Sequence, residues 1–260
     1  MYLPTADQAP VSHPTIDLGC GNWCTINYDS VISSALAILI TIAAAIYLAR
    51  QLNTSNPGRL QGLAEWAFSY VRTTARENAP DAGWVVPLAA TIGFYILVAN
   101  WLDFLPITLI PNLHPANTDL NQTAAMAVVV FVLLQWYTIR VRGPMGYVRH
   151  FFGDRPHGMS LAWRIGFIPL NIIEEIVKPV TLAMRLFGNL FAGLLMGYVI
   201  VLVLGSLPYV GSWFAGPIGL AVWKLFDVGF IGLIQAFIFM LLTIIYFGLA
   251  REGLEAEHTH

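Results

Sequence analysis

Residues 165–204 read IGFIPLNIIEEIVKPVTLAMRLFGNLFAGLLMGYVIVLVL, an apolar run about twice as long as an ordinary membrane span. As one helix it would extend roughly 60 Å, so it must be steeply tilted or broken. Its charged residues are Glu174, Glu175, Lys178 and Arg185. A charge at the bilayer centre costs about 2.5–3.5 kcal/mol, and arginine cannot discard its proton to avoid that cost. Arg185 is therefore a fixed positive charge inside the membrane, and we expect it to control the movement of ions or protons there.

The composition of the whole chain is that of a membrane protein. Of its 260 residues, 57% are hydrophobic and 11% are charged, and the mean hydropathy is +0.66. These values indicate one polytopic domain over residues 1–260. The net charge of −2 argues against a nucleic-acid partner, because no basic patch is present to neutralise phosphates. No Lys or Arg precedes the first apolar run, so we expect a retained anchor rather than a signal peptide.

The apolar runs predict an all-α protein with five membrane crossings. Residues 31–49 form the first span, residues 84–139 an upright transmembrane hairpin, and residues 160–250 a pair of long tilted helices. Arginines follow the first and third spans, whereas residues 1–30 and 102–123 contain no Lys or Arg. The positive-inside rule then places the N-terminus outside and the C-terminus in the cytoplasm.

Residues 56–79 predict an amphipathic helix that begins at Asn56-Pro57, with asparagine as the cap and proline at the first position. Its apolar stripe consists of Leu60, Leu63, Ala67, Tyr70 and Val71. Such a helix either lies on the cytoplasmic membrane surface or packs on a partner subunit, and the pattern favours neither.

The two ends of the chain lie outside the spans. The N-terminal segment, residues 1–30, holds both cysteines, Cys20 and Cys24. A short-loop disulfide is possible if this segment faces the oxidising side, and two free thiols are equally compatible. A single CxxxC pattern is too weak to indicate a metal site. Residues 251–260 form an acidic tail.

A polar stripe runs along one face of the helix predicted around Arg185. At 100° per residue, Glu174, Lys178, Thr181, Arg185 and Asn189 share that face. In a structural interpretation, Glu174 pairs with Lys178 and Arg185 pairs across the bundle. In a functional one, the stripe lines an ion or proton pathway, which is the usual role of ionisable residues inside a membrane. The length of the stripe favours the pathway.

The last apolar stretch, residues 220–249, carries Asp227 and Gln235. Gln235 alone can serve as a hydrogen bond between helices. Burial among apolar side chains favours the protonated form of a carboxylic acid, which would let Asp227 exchange protons near neutral pH. The alternative for Asp227 is a carboxylate at the outer membrane interface.

Four segments together resemble subunit a of F-type ATP synthases, in the order in which that family has them. They are WLDFLP (101–106), PANTDLN (115–121), RLFGN (185–189) with Pro179 six residues before its arginine, and QAFIF (235–239). The resemblance covers residues 100–250 and implies a membrane stator beside a rotating ring of c subunits, held by b-type subunits of a peripheral stalk in a bacterial plasma membrane. It also implies that the chain itself performs no ATP chemistry and uses no cofactor or metal.

In that family, two aqueous half-channels reach the ring from opposite sides, and protons load and unload ring carboxylates. Carried over by position, Arg185 separates the half-channels and attracts the ring carboxylate. Asn189 and Gln235 match polar residues near the arginine, and Asp119 matches an acidic position of the outer half-channel. Two further sets complete the match: Thr181 as a small hydroxyl residue facing the ring, and Glu174 and Glu175 as an acidic pair beside the inner exit.

The chain departs from the family at the outer half-channel. Many relatives have Glu or His five residues after the asparagine, where this chain has Leu194, and an ionisable group seven residues before the glutamine, where it has Val228. We expect Asp227 to substitute for this pair. His114 and Asp103 are further candidates for the outer path.

Two rival functions are compatible with a polytopic protein of this size. A self-contained secondary ion transporter would usually contain inverted repeats, and the sequence has no evident internal repeat. A non-conducting assembly subunit would have no need of the polar stripe. The proton-channel stator is therefore the preferred interpretation.

Overall fold

The computed structural model describes residues 15–17, 25–52, 58–78, 83–102, 104, 117, 119–153, 161–206 and 214–255. Within these residues the chain forms two short strands followed by helices. The strands are β1 (Thr15–Asp17) and β2 (Thr25–Asn27). The helices are α1 (Tyr28–Arg50), α2 (Arg59–Asn78), α3 (Val85–Leu102), α4 (Leu120–Gly153), α5 (Leu161–Gly205), α6 (Gly216–Phe226) and α7 (Gly232–Glu255), and Asp227–Ile231 form a π-helical turn between the last two.

Five stretches of the described chain are long and apolar enough to cross a membrane. They are Tyr28–Arg50, Val85–Leu102, Leu120–Val148, Ile168–Gly205 and Gly216–Ala250. The prediction of an all-α polytopic membrane protein is thereby confirmed.

The two strands were not predicted from the sequence. They pair antiparallel, with Ile16 opposite Ile26, immediately before α1. Each has only three residues, which is too short for the alternation of polar and apolar residues to be recognised. Cys20 and Cys24, for which we considered a disulfide, lie between the strands and outside the described residues.

Two of the long helical stretches differ from regular, uninterrupted membrane spans. Helix α4 continues past the third span to Gly153, with a kink at Gly143 (φ 71°, ψ 165°) just before Pro144. The last apolar stretch is divided by the π-helical turn. By contrast, α5 remains a single helix of 45 residues although it contains Pro169 and Pro179.

The chain divides into two compact units. Unit 1 comprises Met1–Arg50, Phe94–Thr123 and Arg185–Ala236, and unit 2 comprises Gln51–Gly93, Ala124–Met184 and Phe237–His260. In unit 1, Ala37 of α1 packs against Val98, Ala99 and Leu102 of α3.

Unit 2 has an aromatic centre at Trp84. The Trp84 ring lies edge-on to those of Trp136, Tyr137 and Phe247, with centroid distances of 5.9, 6.0 and 5.2 Å. The apolar stripe predicted on α2 is only partly buried in this unit: Val71 packs into the core, whereas Leu63 remains exposed.

Candidate functional site

The predicted site residues fall into both units. Unit 1 holds Arg185, Asn189, Asp119, Asp227 and Gln235, and unit 2 holds Glu174, Glu175 and Thr181. Asp103 and His114 lie outside the described residues.

Arg185 lies on the exposed side of α5. The opposite side of the helix is anchored by Leu186 and Leu190, which are buried. Within the described part of unit 1, the guanidinium forms no ion pair with a carboxylate. The suggestion that Arg185 pairs across the bundle therefore finds no partner among these residues. Asn189, one turn further along α5, is half-buried.

Asp227 is buried against the backbone of α5 at Gly193. Only 4% of Asp227 is exposed. A Cβ atom at position 193 would overlap Oδ2 of Asp227 and lie 2.8 Å from its Cγ, so glycine is what makes room for the carboxyl group. One turn before Asp227, the indole N–H of Trp223 donates to the Gly193 carbonyl oxygen over 3.1 Å. Gly193 follows Arg185 by eight residues, which is about 12 Å along the helix axis.

The π-helical turn changes the direction in which Asp227 points. The Gly232 N–H bonds to the carbonyl oxygen of Asp227, five residues back, instead of four residues back as in an α-helix. In an unbroken α-helix, Asp227 would lie about 80° away from Gln235, because the two are eight residues apart. The extra residue in the turn removes about 100° of rotation and brings Asp227 to within about 20° of Gln235.

That rotation also bears on position 228, which lies seven positions before Gln235. A residue seven positions before Gln235 in a regular helix would also lie about 20° from it. Asp227 thus lies on the face of the helix that position 228 would occupy without the extra residue. Gln235 is itself buried, with 5% exposed, and its Nε2 has no hydrogen-bond partner in the part of the chain that the structure describes.

Two asparagines that we did not single out from the sequence form a hydrogen-bonded chain that ends at Gly232 in unit 1. Nδ2 of Asn117 donates to Oδ1 of Asn100 over 3.0 Å, and Nδ2 of Asn100 donates to the Gly232 carbonyl oxygen over 3.3 Å. Asn100 and Asn117 are both 1% exposed. The signal that could have identified Asn100 is an amide at the end of an otherwise apolar run.

Asp119 is held at the start of α4 by two hydrogen bonds. Nδ2 of Asn27 donates to its Oδ2 over 2.8 Å, and the backbone N–H of Asn121 donates to its Oδ1 over 2.9 Å. The second bond is a capping contact of the kind that an Asp makes just before a helix. The carboxylate is buried, so its orientation is fixed by these donors.

In unit 2, Glu175 is the centre of a hydrogen-bonded cluster. Nε2 of Gln135 donates to its Oε2 over 2.8 Å, and the hydroxyl of Tyr147 donates to Oε1 of Gln135 over 2.9 Å. Lys178 forms an ion pair with Oε1 of Glu175. The pair between Glu174 and Lys178 in the structural interpretation is therefore wrong: the ammonium group contacts the carboxylate three residues away, and Glu174 is exposed.

Thr181 is exposed on α5, three residues after Lys178. Its hydroxyl donates to the carbonyl oxygens of Val177 and Lys178, over 2.8 and 3.0 Å. This back-bonding satisfies the hydroxyl within its own helix, so Thr181 presents its methyl group and a satisfied oxygen outward.

Comparison with known proteins identifies the family. The model of the ATP synthase A chain family matches residues 31–248. The ATP synthase subunit a of Mycobacterium marinum is 39% identical over 90% of this chain and 90% of its own length. The subunits a of Coxiella burnetii and Acidothermus cellulolyticus are 36% and 34% identical, each over 90% of this chain and over 88% and 82% of their own lengths. The chain therefore belongs to the ATP synthase A chain family.

Proposed function

We propose that this chain is the proton-channel stator of the membrane sector of an ATP synthase, in which Arg185 separates two half-channels and attracts a carboxylate of the c-ring. The observation that carries the proposal is the exposed guanidinium of Arg185 on a helix of 45 residues, with no carboxylate paired to it in the described part of its unit. A fixed charge in a membrane needs a counter-charge. The ring supplies one that arrives and leaves.

The strength of this attraction suits a moving partner. Two opposite charges about 4 Å apart attract by about 4 kcal/mol at an effective dielectric constant near 20. That attraction is enough to keep a passing carboxylic acid ionised and weak enough for ring motion to break. The membrane potential supplies about 2.3 kcal/mol per proton for each 100 mV, so the two energies are comparable.

The two groups of polar residues fit two separate proton routes. We assign Asp119, Asp227, Asn189 and Gln235, which unit 1 holds, to the outer half-channel and its approach to Arg185. Glu174, Glu175 and Thr181, which unit 2 holds, belong to the inner half-channel and the ring-facing surface. Asp103 and His114 remain candidates for the outer entrance.

The family match supports an assembly with the other subunits of an ATP synthase. The chain is a multi-pass membrane protein, and the membrane we propose is the bacterial plasma membrane, with the N-terminus outside. The c-ring lies against the helices of residues 160–250, and b-type subunits of the peripheral stalk bind elsewhere on the chain. A secondary transporter or a non-conducting assembly subunit finds no support in the family match.

Substitution Arg185→Ala in the complete ATP synthase, reconstituted in proteoliposomes, tests the proposal. ATP synthesis driven by an imposed proton gradient should fall to the background of empty vesicles, and proton leak should rise because no fixed positive charge then separates the two half-channels. Arg140→Ala is the matched control: Arg140 is also exposed, and its guanidinium lies 5.3 Å from the ring centroid of Trp136. Coupled synthesis at the wild-type rate in Arg185→Ala would overturn the proposal.

The role of Asp227 has its own test. Asp227→Asn keeps the size of the side chain and removes its ability to carry a proton. We expect ATP synthesis to slow about tenfold or more at low outer proton concentration, since proton entry would become limiting. An unchanged rate in this variant would remove Asp227 from the path and leave the role of Arg185 intact.

A further inference from the structure

We propose that Asn100, oriented by Asn117, is a positioning residue that holds the π-helical turn at Asp227–Ile231 and thereby aims the Asp227 carboxylate. The inference rests on the proposed role of Asp227 in the outer half-channel. Asn100 lies on α3, so a helix outside the tilted pair would determine where that carboxylate points.

The contacts form a continuous chain within unit 1. Asn117 donates to Asn100 over 3.0 Å, and Asn100 donates to the carbonyl oxygen of Gly232 over 3.3 Å. The N–H of the same Gly232 closes the π-helical turn on the carbonyl oxygen of Asp227. A single residue, Gly232, therefore links the amide of Asn100 to the hydrogen bond that defines the turn.

Close packing at Gly232 makes this contact specific. A Cβ atom at position 232 would lie 3.2 Å from the Cβ of Asn100, 3.5 Å from its Nδ2 and 3.6 Å from the backbone oxygen of Asp227. The first of these distances is tighter than an ordinary van der Waals contact. Glycine thus lets α3 approach the π-helical turn closely enough for a hydrogen bond to a backbone carbonyl.

A π-helical turn needs such support. The π-helix accounts for well under 1% of residues in proteins and appears mostly as single turns inside α-helices, often at functional sites. Without an outside contact, the segment would relax toward α-helical bonding. Relaxation would rotate Asp227 by about 100° relative to Gln235 and carry its carboxylate away from Gly193.

The chemistry of asparagine fits both ends of the contact. Its amide donates through Nδ2 and accepts through Oδ1 at the same time, and both functions are used here. An ionised Asp at position 100 could accept from Asn117 but could not donate to Gly232. Leucine has a similar size and can do neither.

The test uses the complete ATP synthase with Asn100→Leu, alone and combined with deletion of Gly229. Asn100→Leu should lower proton-driven ATP synthesis about tenfold, with normal amounts of assembled complex. Deleting Gly229, an exposed residue inside the π-helical turn, leaves Asp227 and Gln235 seven positions apart. A plain α-helix then keeps Asp227 on the face of Gln235, so the double variant should recover to within about threefold of wild type.

If Asn100 only stabilised the fold, deleting a residue from a different helix would not restore ATP synthesis in the Asn100→Leu variant. Gln122→Leu is the matched control, because Gln122 also joins α3 to α4, by a 2.6 Å hydrogen bond to the hydroxyl of Tyr95, without touching the turn. It should leave the rate within about twofold of wild type. If Asn100→Leu fails to assemble, Asn100→Ala, which removes the amide without adding a charge, takes its place.

The structure of the ATP synthase carrying the Asn100 variant decides the proposal independently of activity. We expect residues 227–231 to become α-helical and Asp227 to leave Gly193. A retained π-helical turn overturns the positioning role, as does a variant that loses activity without rescue by the Gly229 deletion. Asp227→Asn, measured in parallel, separates the two ideas: a wild-type rate there refutes the proton role of Asp227, whereas the geometry of the turn still confirms or refutes that of Asn100.

Discussion

Asn27 donates a 2.8 Å hydrogen bond to the carboxylate of Asp119, although the two residues are 92 positions apart in the chain. The bond joins the end of β2 to the start of α4 within unit 1. It gives the short N-terminal hairpin a part in fixing an acidic residue that we assign to the outer half-channel.

Asn27→Ala should loosen the hairpin. Hydrogen bonds to charged groups contribute about 1.5–3 kcal/mol, so the backbone amides of residues 25–29 should exchange with solvent about tenfold faster or more. Hydrogen exchange of the purified complex, followed by mass spectrometry, measures the change. Ser34→Ala is the control, because the Ser34 hydroxyl bonds only within α1, to the Ser30 and Val31 carbonyl oxygens. Equal exchange in both variants would show that Asn27 does not anchor the hairpin.

Gly193→Ala should displace the Asp227 carboxylate, since the new methyl group would overlap it. Overpacking of this kind costs about 1–3 kcal/mol, and the displaced carboxylate should slow proton-driven ATP synthesis about tenfold. Gly197→Ala is a matched control on the same helix, four residues on. There the added Cβ would meet the terminal methyl group of Leu220 at 3.3 Å, and that side chain can move. Similar rates in the two variants would contradict a special role for the Gly193 contact.

Glu175→Gln and Glu174→Gln should differ although the residues are adjacent. Glu175 accepts from Gln135 and pairs with Lys178, and the side chains of this ion pair are only 13% and 18% exposed. Removing its charge should lower the free energy of unfolding by about 1.5–3 kcal/mol. Glu174 is exposed, and its substitution should change stability by less than about 0.5 kcal/mol. Thermal unfolding of the purified protein distinguishes them, and equal stability losses would argue against the cluster.

Gly143→Ala should destabilise the kink in α4. Its backbone angles, φ 71° and ψ 165°, lie in a region that is essentially restricted to glycine, and a side chain there costs roughly 1–3 kcal/mol. Gly62→Ala is the control, because Gly62 lies inside α2 with open space around its Cα, and alanine favours a helix by up to about 1 kcal/mol. The two variants should therefore shift the unfolding temperature in opposite directions. An unfolding temperature of Gly143→Ala at or above that of the wild type would show that the kink does not require glycine.

The membrane spans could be predicted because each one is a continuous run of apolar residues, which can be recognised without knowing any contact distant in sequence. The length of the run around Arg185 is enough to require an unusual helix, and α5 is one helix of 45 residues. The angular positions of the polar residues around α5 could also be predicted, because a single helix fixes the angles between its residues.

The geometry around Asp227 could not be predicted, because it depends on contacts distant in sequence. A constant 100° per residue would put Asp227 about 80° from Gln235, and the π-helical turn that changes this angle is not visible in the sequence. The partner of Lys178 was missed for a related reason. Spacings of three and four residues are both compatible with an ion pair on a helix, and Gln135 of α4 helps to fix the side chain of Glu175.

The π-helical turn has a consequence for comparing relatives of this protein. An alignment that matches residues column by column would take apolar Val228 as the residue seven positions before Gln235 and would overlook Asp227. The folded helix carries its carboxylic acid one column earlier and turns it to the same side. An insertion of one residue can thus be silent in three dimensions, so functional positions in such helices are better matched by angle than by number.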